Sequence, residues 1–288
     1  MAIQSQLTTH SDQPRSQVIT EPRPIQWILI AVALGYLGIF LLLPLIAILV
    51  EACSKGIPAA LGAIADPYTV AAIRLTLITA AVAVPLNLVF GVTAAWAITK
   101  YDFPGKNFLI TLIDLPFTVS PVISGMIFVL LFGAQSALGL WLTAHGIRII
   151  FAIPGIILAT LFVTFPYVVR ELIPLMQQQG IEEEEAALTL DASGWQIFRH
   201  VTLPNIRWGL LYGVILCNAR AMGEFGAVSV VSGHIRGLTN TIPLHVEILY
   251  NEYNFQAAFA VASLLAGLAI LTLILKQIVQ WRSRKEIQ

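Results

Sequence analysis

The chain has 288 residues, of which 57% are hydrophobic and 11% are charged, whereas an ordinary soluble domain carries about 25% charged residues. Together with a mean hydropathy of +0.82, this composition excludes a soluble globular protein, a disordered chain, a coiled coil and a disulfide-rich secreted scaffold. Lys plus Arg and Asp plus Glu both number 16, so no net charge would attract nucleic acid. The composition therefore predicts an all-α polytopic membrane protein.

Six apolar stretches predict membrane-spanning helices, because a bilayer core of about 30 Å requires about 20 apolar residues in a helix. The predicted spans are residues 27–50, 75–99, 107–133, 149–169, 208–233 and 257–275. We expect a polar tail over 1–26, a six-helix membrane domain over 27–281 and a short tail over 282–288.

The distribution of basic residues predicts the orientation, since Lys and Arg accumulate on the cytoplasmic side of a membrane. With six spans both termini share one side. The connections and tails on that side hold most of the basic residues: Arg15, Arg23, Lys100, Lys106, Arg170, Arg199, Arg207, Lys276, Arg282, Arg284 and Lys285. The other side holds Lys55, Arg74, Arg148 and Arg236. We therefore expect both termini, and the long connection between the fourth and fifth spans, to be cytoplasmic.

Two short helices are predicted within that connection. Glu182–Glu185 follow Gly180, which places acidic groups in the first turn of a helix, where the helix dipole favours them. Ser193 and Gln196 have the spacing of a capping box, which marks the start of a second helix. Its apolar residues are Trp195, Ile197, Phe198 and Val201. They either form a docking surface for a soluble partner or pack on the ends of the membrane helices.

The same connection carries a recognisable signature. Glu185-Ala186-Ala187, followed at the right distance by Leu203-Pro204, resembles the EAA signature of bacterial ABC-importer permeases, which has the form EAA-x3-G-x9-I-x-LP. The resemblance implies that residues of about 180–204 form the coupling helices that seat in a cleft of a separate ATPase subunit.

Two positions depart from the signature. Val201 replaces an isoleucine, and Asp191 stands where the signature has the glycine that makes the turn between the two helices. Asp adopts the left-handed conformation more readily than most residues, at a cost on the order of 1 kcal/mol. We expect Gly194 to share this turn.

Longer resemblances narrow the family. Residues 218–227 resemble the fifth-helix signature of importers for the oxyanions sulfate and molybdate. Residues 231–253 and 114–121 resemble the W-type permease subunit of sulfate/thiosulfate ABC importers, and the likeness covers nearly all of 27–281. It implies the type I ABC importer permease architecture in a bacterial-type inner membrane, and it implies that the chain forms half of a sulfate/thiosulfate path.

The resemblance also implies a set of partners: a T-type permease subunit, a dimer of ATP-binding subunits that hold ATP and Mg, an external sulfate-binding protein and membrane lipid. The chain itself has no Gly-x4-Gly-Lys-Ser/Thr phosphate loop, so we expect it to hydrolyse no ATP and to be no enzyme on its own. We expect it to bind no cofactor and no metal, because its five histidines are scattered.

Arg220 and Glu224 are the charged residues of the fifth predicted span. They are four positions apart and share one helix face. At 1.5 Å per residue Arg220 lies about 18 Å into the span, where a charge costs about 2.5–3.5 kcal/mol on insertion scales. The pair therefore faces protein or water. It is either a salt bridge that locks helix packing or a gate at the border of the anion path.

Weaker candidates for the path occur in the third span. Asp114 could reach water or cap a helix that is broken at Pro116. Thr118 and Ser120 could offer hydroxyl groups to the anion, or bond back to their own helix.

Two alternative functions remain open from the sequence. Another oxyanion importer, for molybdate or phosphate, would share the superfamily signatures. A secondary anion transporter would also carry charges within the membrane, but it would often show a repeated half and broken helices in matching positions, and neither is visible in the sequence.

Overall fold

The structure, a computed structural model, describes residues 22–287 and the side chains of all of these except 23 and 283–287. Most of the predicted tail 1–26, and the end of the predicted tail 282–288, therefore lie outside the described residues. By its internal contacts the chain divides into two units, residues 1–47 and 48–288.

In the described part of the first unit, helix α1 spans Arg23–Leu37 and a π-helical turn spans Gly38–Leu42. Proline occupies the first turn of α1, where its missing N–H costs no hydrogen bond. The rings of Tyr36 and Phe40 lie 4.6 Å apart across the junction. Helix α2 spans Leu43–Ala52 and includes the boundary between the two units.

The second unit consists of helices joined by turns and loops, with no strand among its described residues. Its further helices are α3 (Ile57–Ala65), α4 (Pro67–Lys100), α5 (Lys106–Thr118), α6 (Pro121–Phe132), α7 (Ala137–Ala144), α8 (Ile153–Gln179), α9 (Glu182–Thr189), α10 (Gly194–Ile197), α11 (Leu203–Met222), α12 (Gly226–Ser232), α13 (Ile242–Asn251) and α14 (Phe255–Ile287). A second π-helical turn, Phe198–Thr202, joins α10 to α11.

The helices confirm the predicted all-α membrane fold, but two of the predicted spans are not single helices. Four continuous stretches of the described chain are long and apolar enough to cross a membrane: Pro24–Ala52, Pro67–Lys100, Ile153–Gln179 and Phe255–Arg282. Two further stretches are long and apolar enough only as pairs of helices, and each pair is bent at a short break. The pair α5 and α6 is bent by 108°, and the segment ending in α11 is bent by 50° against α12. Counting each pair as one gives six spans, but the third and fifth are not the single helices that the sequence predicted.

Local chemistry explains both breaks. Ser120 precedes Pro121 and has an extended ψ of 135°, because the proline ring excludes the helical conformation for the residue before it. In the fifth span α11 ends at Met222, and Gly223 follows as the capping residue. The prediction of a break at Pro116 is wrong: Pro116 is buried inside α5, which continues to Thr118.

Helices α4 and α8 form the centre of the second unit and run side by side in the same direction. Asn87 donates to Thr164 Oγ1 at 2.7 Å, and Thr99 contacts the sulfur of Met176, in both cases across 77 residues of sequence. A Cβ atom on Gly91 would lie 2.5 Å from a methyl group of Val168, so only glycine permits this approach. Small residues allow such close contacts between membrane helices.

The two broken spans pack against each other beside their breaks. A Cβ atom on Gly226 would lie 3.0 Å from Cβ of Pro121, and one on Gly125 would lie 2.7 Å from the carbonyl oxygen of Ala227. The first turns of α6 and α12 are therefore in direct contact. This contact brings the irregular backbone at 119–120 and at 223–225 into one region.

Candidate functional site

The connection between α8 and α11 folds as the sequence predicted, into two short helices, α9 and α10. Four glutamates occupy the first turn of α9. A capping box starts α10. In it, the backbone N–H of Ser193 donates to Oε1 of Gln196, three residues on, at 2.8 Å. We refer to residues 180–204 as the coupling segment.

The turn between the two helices relies on Asp191. Its φ is +63°, the left-handed conformation that the signature glycine would adopt without strain. The expectation that Gly194 shares this turn is wrong, because Gly194 is already the first residue of α10 and is not among the residues with positive φ. The whole strain of the turn falls on Asp191.

Polar contacts fix the coupling segment to the ends of the long helices. Glu184 pairs with Lys100 Nζ at 3.0 Å and accepts from Thr202 Oγ1 at 2.7 Å. Lys100 also donates to the carbonyl oxygen of Gly180 at 2.7 Å, and Asn205 donates to Glu183. Because the Lys100 and Glu184 side chains are only 9% and 18% exposed, water competes weakly for this ion pair. A displacement of α9 would therefore be passed to α4 and α11.

The opposite surface of the segment is exposed and apolar. Leu190 is 83% exposed and Trp195 is 69% exposed. Glu185 is also exposed, and within the described part of the chain its carboxylate has no hydrogen bond or ion pair. Ala186 is exposed too, whereas Ala187 is half-buried.

The remaining apolar residues of α10 and the turn after it face inward. Ile197 is buried, and the rings of Phe198 and Trp96 lie 5.1 Å apart. At the end of the segment Leu203 is half-buried and Pro204 is exposed in the first turn of α11. Both interpretations left open by the sequence therefore apply, to different residues: Trp195 lies on the exposed surface, while Ile197 and Phe198 pack inside.

Arg220 and Glu224 form the predicted ion pair, with Arg220 Nη2 2.7 Å from Glu224 Oε2. The sequence placed both residues in one helix, but Glu224 lies in the break, two residues beyond the end of α11. Its other oxygen, Oε1, accepts from the Ala227 N–H at 2.8 Å in the first turn of α12. The Glu224 side chain is 1% exposed and that of Arg220 is 30% exposed. One buried carboxylate thus joins the end of α11 to the start of α12.

The weaker candidates occupy the other broken span. Asp114 Oδ1 lies 2.8 Å from Nε of Arg170 on α8. Thr118 donates to the carbonyl oxygen of Leu115 at 2.9 Å, which is the back-bonding alternative. Ser120 is exposed and precedes the first residue of α6.

The helix that contains Arg170 is longer than the sequence predicted. The predicted span ends at residue 169, whereas Arg170 lies within α8, nine residues before its end. The carboxylate at Asp114 was the available signal, because an isolated charge in an apolar span requires a partner of opposite sign. Sequence spacing could not identify that partner, since it lies on another helix.

The chain is similar in sequence to known membrane transport proteins. The sequence profile of the family described as binding-protein-dependent transport system inner membrane component matches residues 87–285. The chain is 53% identical over 265 residues to the sulfate transport system permease protein CysW of Escherichia coli (strain K12), covering 91% of each chain. It is 36% identical to the sulfate transport system permease protein CysT of the same organism, over 84% of this chain and 87% of the relative. These relatives are permease subunits and not enzymes.

A solved structure has the same fold. The crystal structure of a bacterial alginate ABC transporter in complex with alginate pentasaccharide-bound periplasmic protein contains a chain that aligns with a TM-score of 0.73 at 16% identity, over 91% of this chain and 96% of that one. The resemblance to ABC-importer permeases that the sequence predicted is confirmed. The chain is a multi-pass inner-membrane protein, and it belongs to the family of binding-protein-dependent transport system inner membrane components.

Proposed function

We propose that this chain is the W-type permease subunit of an ATP-driven sulfate/thiosulfate importer, forming half of the anion path and coupling that path to a separate ATPase. The observation that carries the proposal is the coupling segment, because it is tied to α4 and α11 on one side and presents Leu190, Trp195 and Glu185 on the other. Such an exposed apolar surface beside charged groups is typical of a site for a protein partner.

The exposed surface of the coupling segment would receive an ATP-binding subunit. In this account the ATP-binding dimer, which would carry ATP and Mg, closes and moves α9. The Lys100–Glu184 ion pair and the Thr202 hydrogen bond pass that movement to α4 and α11. Because the N–H groups of Asp191 and Ala192 donate to carbonyl oxygens of α9 and close the turn, α9 and α10 would move as one body. This chain would form the anion path and transmit the movement of the ATP-binding dimer to it, while ATP would be hydrolysed on the ATPase.

The Arg220–Glu224 pair would form the gate of the path. A divalent anion needs positive potential to leave water, but a permanently free Arg220 would trap it or admit other anions. In the closed state Glu224 neutralises Arg220 and holds α11 to α12. A change in the 50° bend between these helices would separate the two side chains and expose the guanidinium to the anion.

The remaining parts of the assembly follow from this arrangement. The path would lie between this chain and a T-type permease subunit, and an external sulfate-binding protein would deliver the anion at the end opposite the coupling segment. Both termini and the coupling segment would be cytoplasmic, as the basic residues predict. Relatives named as sulfate permeases of both the W and T types support this pairing, and they favour sulfate over molybdate or phosphate.

The test is reconstitution of the assembled complex in lipid vesicles. We expect sulfate-loaded binding protein to stimulate ATP hydrolysis, and Trp195→Ala to reduce recovery of the ATP-binding subunits with this chain. Trp141→Ala is the matched control, because Trp141 is also exposed, at 57%, but lies on α7. Unstimulated hydrolysis in the complete system would count against an importer. Equal recovery with both variants would count against the coupling surface.

A further inference from the structure

One face of α5 carries a row of polar side chains along an otherwise apolar helix. Asn107, Thr111, Asp114 and Thr118 follow the spacing i, i+4, i+7 and i+11, which places them on one face at 3.6 residues per turn. Three of them are exposed and Asp114 is half-buried. The opposite face of α5 carries Ile113 and Pro116, both buried. We call these four residues the polar stripe; it points away from the core of this chain.

Arg170 lies beside the middle of the polar stripe. Its Nε lies 2.8 Å from Asp114 Oδ1, and its guanidinium carbon lies 4.9 Å from the centre of the Phe117 ring. These two contacts fix the plane of the guanidinium. Within the described part of the chain its two terminal nitrogens have no hydrogen-bond partner, and 57% of the Arg170 side chain is exposed.

This exposure is incompatible with a lipid environment. Asp114 lies about 12 Å from the start of α5 at 1.5 Å per residue, and Arg170 lies about 14 Å from the end of α8. Charged side chains at such depth face protein or a water-filled cavity, because hydrocarbon cannot solvate them. The backbone break at Val119 and Ser120, at the end of the polar stripe, carries the same requirement.

The polar stripe leads to the region of the proposed gate. It begins one residue after Lys106, at the end of the bundle where Lys100 contacts the coupling segment. It ends at Thr118, three residues before Pro121, which packs against Gly226 next to the Arg220–Glu224 break. The polar stripe therefore runs from the coupling end of the bundle to the break before Pro121, and the far side of that break packs beside the gate.

We infer that the polar stripe lines the inner leg of the anion path and that Arg170 is its oxyanion-binding residue; this inference rests on the proposed function. A fixed guanidinium with two free terminal nitrogens matches the oxygen atoms of a tetrahedral oxyanion, which a point charge such as lysine matches less well. Asp114 keeps the pair neutral overall. The anion is therefore held by hydrogen bonds without the deep electrostatic trap that an unpaired arginine would form, and it can leave toward the cytoplasm.

Cysteine accessibility in the assembled complex tests whether the polar stripe meets water. The background is Cys53→Ser, since Cys217 is fully buried. Thr111→Cys and Thr118→Cys probe the stripe, and Leu112→Cys is the control, because Leu112 is 50% exposed at the same depth as Thr111 but lies off the stripe. The probe is the membrane-impermeant methanethiosulfonate ethylsulfonate applied from the coupling side.

We expect both stripe cysteines to react at least about tenfold faster than Leu112→Cys, because the thiolate is the reactive form and needs water, and sulfate should slow their reaction. Asp114→Asn should lower the sulfate concentration that gives half-protection. Equal rates at all three positions, or rates unaffected by sulfate, would overturn the inference.

Transport gives an independent readout. Arg170→Gln should reduce sulfate uptake more than Arg170→Lys, while assembly with the ATP-binding subunits is retained; Lys55→Gln, at an exposed position outside the spans, is the control. Normal uptake by Arg170→Gln would overturn the inference and leave the proposed function intact. Absence of sulfate-stimulated ATP hydrolysis in the unsubstituted complex would instead reject the proposed function, and the inference with it.

Discussion

Replacing Glu224 with glutamine is expected to release the gate, because among the described residues its carboxylate is the only negative group paired with Arg220. Glu224 is 1% exposed, lies 2.7 Å from Arg220 Nη2 and accepts from the Ala227 N–H at 2.8 Å. Glutamine has the same size and can retain the second contact through its amide oxygen, so the substitution removes mainly the charge. Arg220 is then left in the membrane without its counter-charge.

The size of the effect follows from the burial of the pair. Removing one partner of a buried ion pair costs about 3–5 kcal/mol. Arg220 keeps 30% of its side chain exposed, and water therefore recovers part of the loss, which lowers the expected cost to about 2–3 kcal/mol. If that free energy holds the closed arrangement, the equilibrium shifts by about 30- to 150-fold toward the open one.

The assay is ATP hydrolysis and sulfate leakage in vesicles without binding protein. We expect Glu224→Gln to raise both above the unsubstituted complex. The matched control is Asp102→Asn, because Asp102 also forms an i,i+4 ion pair, with Lys106 at 3.0 Å, but is fully exposed; exposed pairs contribute about 0–1 kcal/mol. Unchanged hydrolysis and leakage in Glu224→Gln, with unchanged thermal stability, would refute the reasoning.

Three further predictions concern single residues. Arg220→Gln should abolish sulfate uptake while the complex still assembles; normal uptake would defeat the gate. Asp191→Gly should raise the midpoint of thermal unfolding, because it removes about 1 kcal/mol of left-handed strain; a lowered midpoint would show that the side chain is required. Burial lowers the pKa of His245, so the unfolded chain binds the proton more readily and stability should fall as pH drops below about 6.5. His245→Gln should weaken that dependence in thermal unfolding between about pH 5 and 7; an unchanged dependence would contradict the role of His245.

The spans could be predicted from the sequence because length and apolar content alone decide whether a helix crosses a bilayer. The breaks could not be placed as well. For the third span the sequence suggested a possible break at Pro116, whose ring the helix accommodates. The break lies instead at Ser120, whose backbone Pro121 forces into an extended conformation. In the fifth span the apolar pattern continues through the break, and the bend depends on a carboxylate that bonds the next helix.

The candidate site was predictable where its determinants are local in sequence. The capping box at Ser193 and the i,i+4 pair at Arg220 are both fixed by helix geometry. Contacts between distant segments were not predictable, since nothing local specifies that Lys100 meets Glu184 or that Asp114 meets Arg170. The latter pair joins a weak candidate residue on α5 to an exposed arginine on α8.

The central claim is that an ATP-binding subunit contacts the coupling segment. The most direct measurement is photo-crosslinking from a benzophenone side chain placed at Leu190, which is 83% exposed, in the assembled complex, with Leu140 on α7, 59% exposed, as the control position. The account predicts crosslinks from Leu190 to the ATP-binding subunit and none from Leu140. Crosslinks from Leu190 only to lipid, to the binding protein or to no subunit would contradict it.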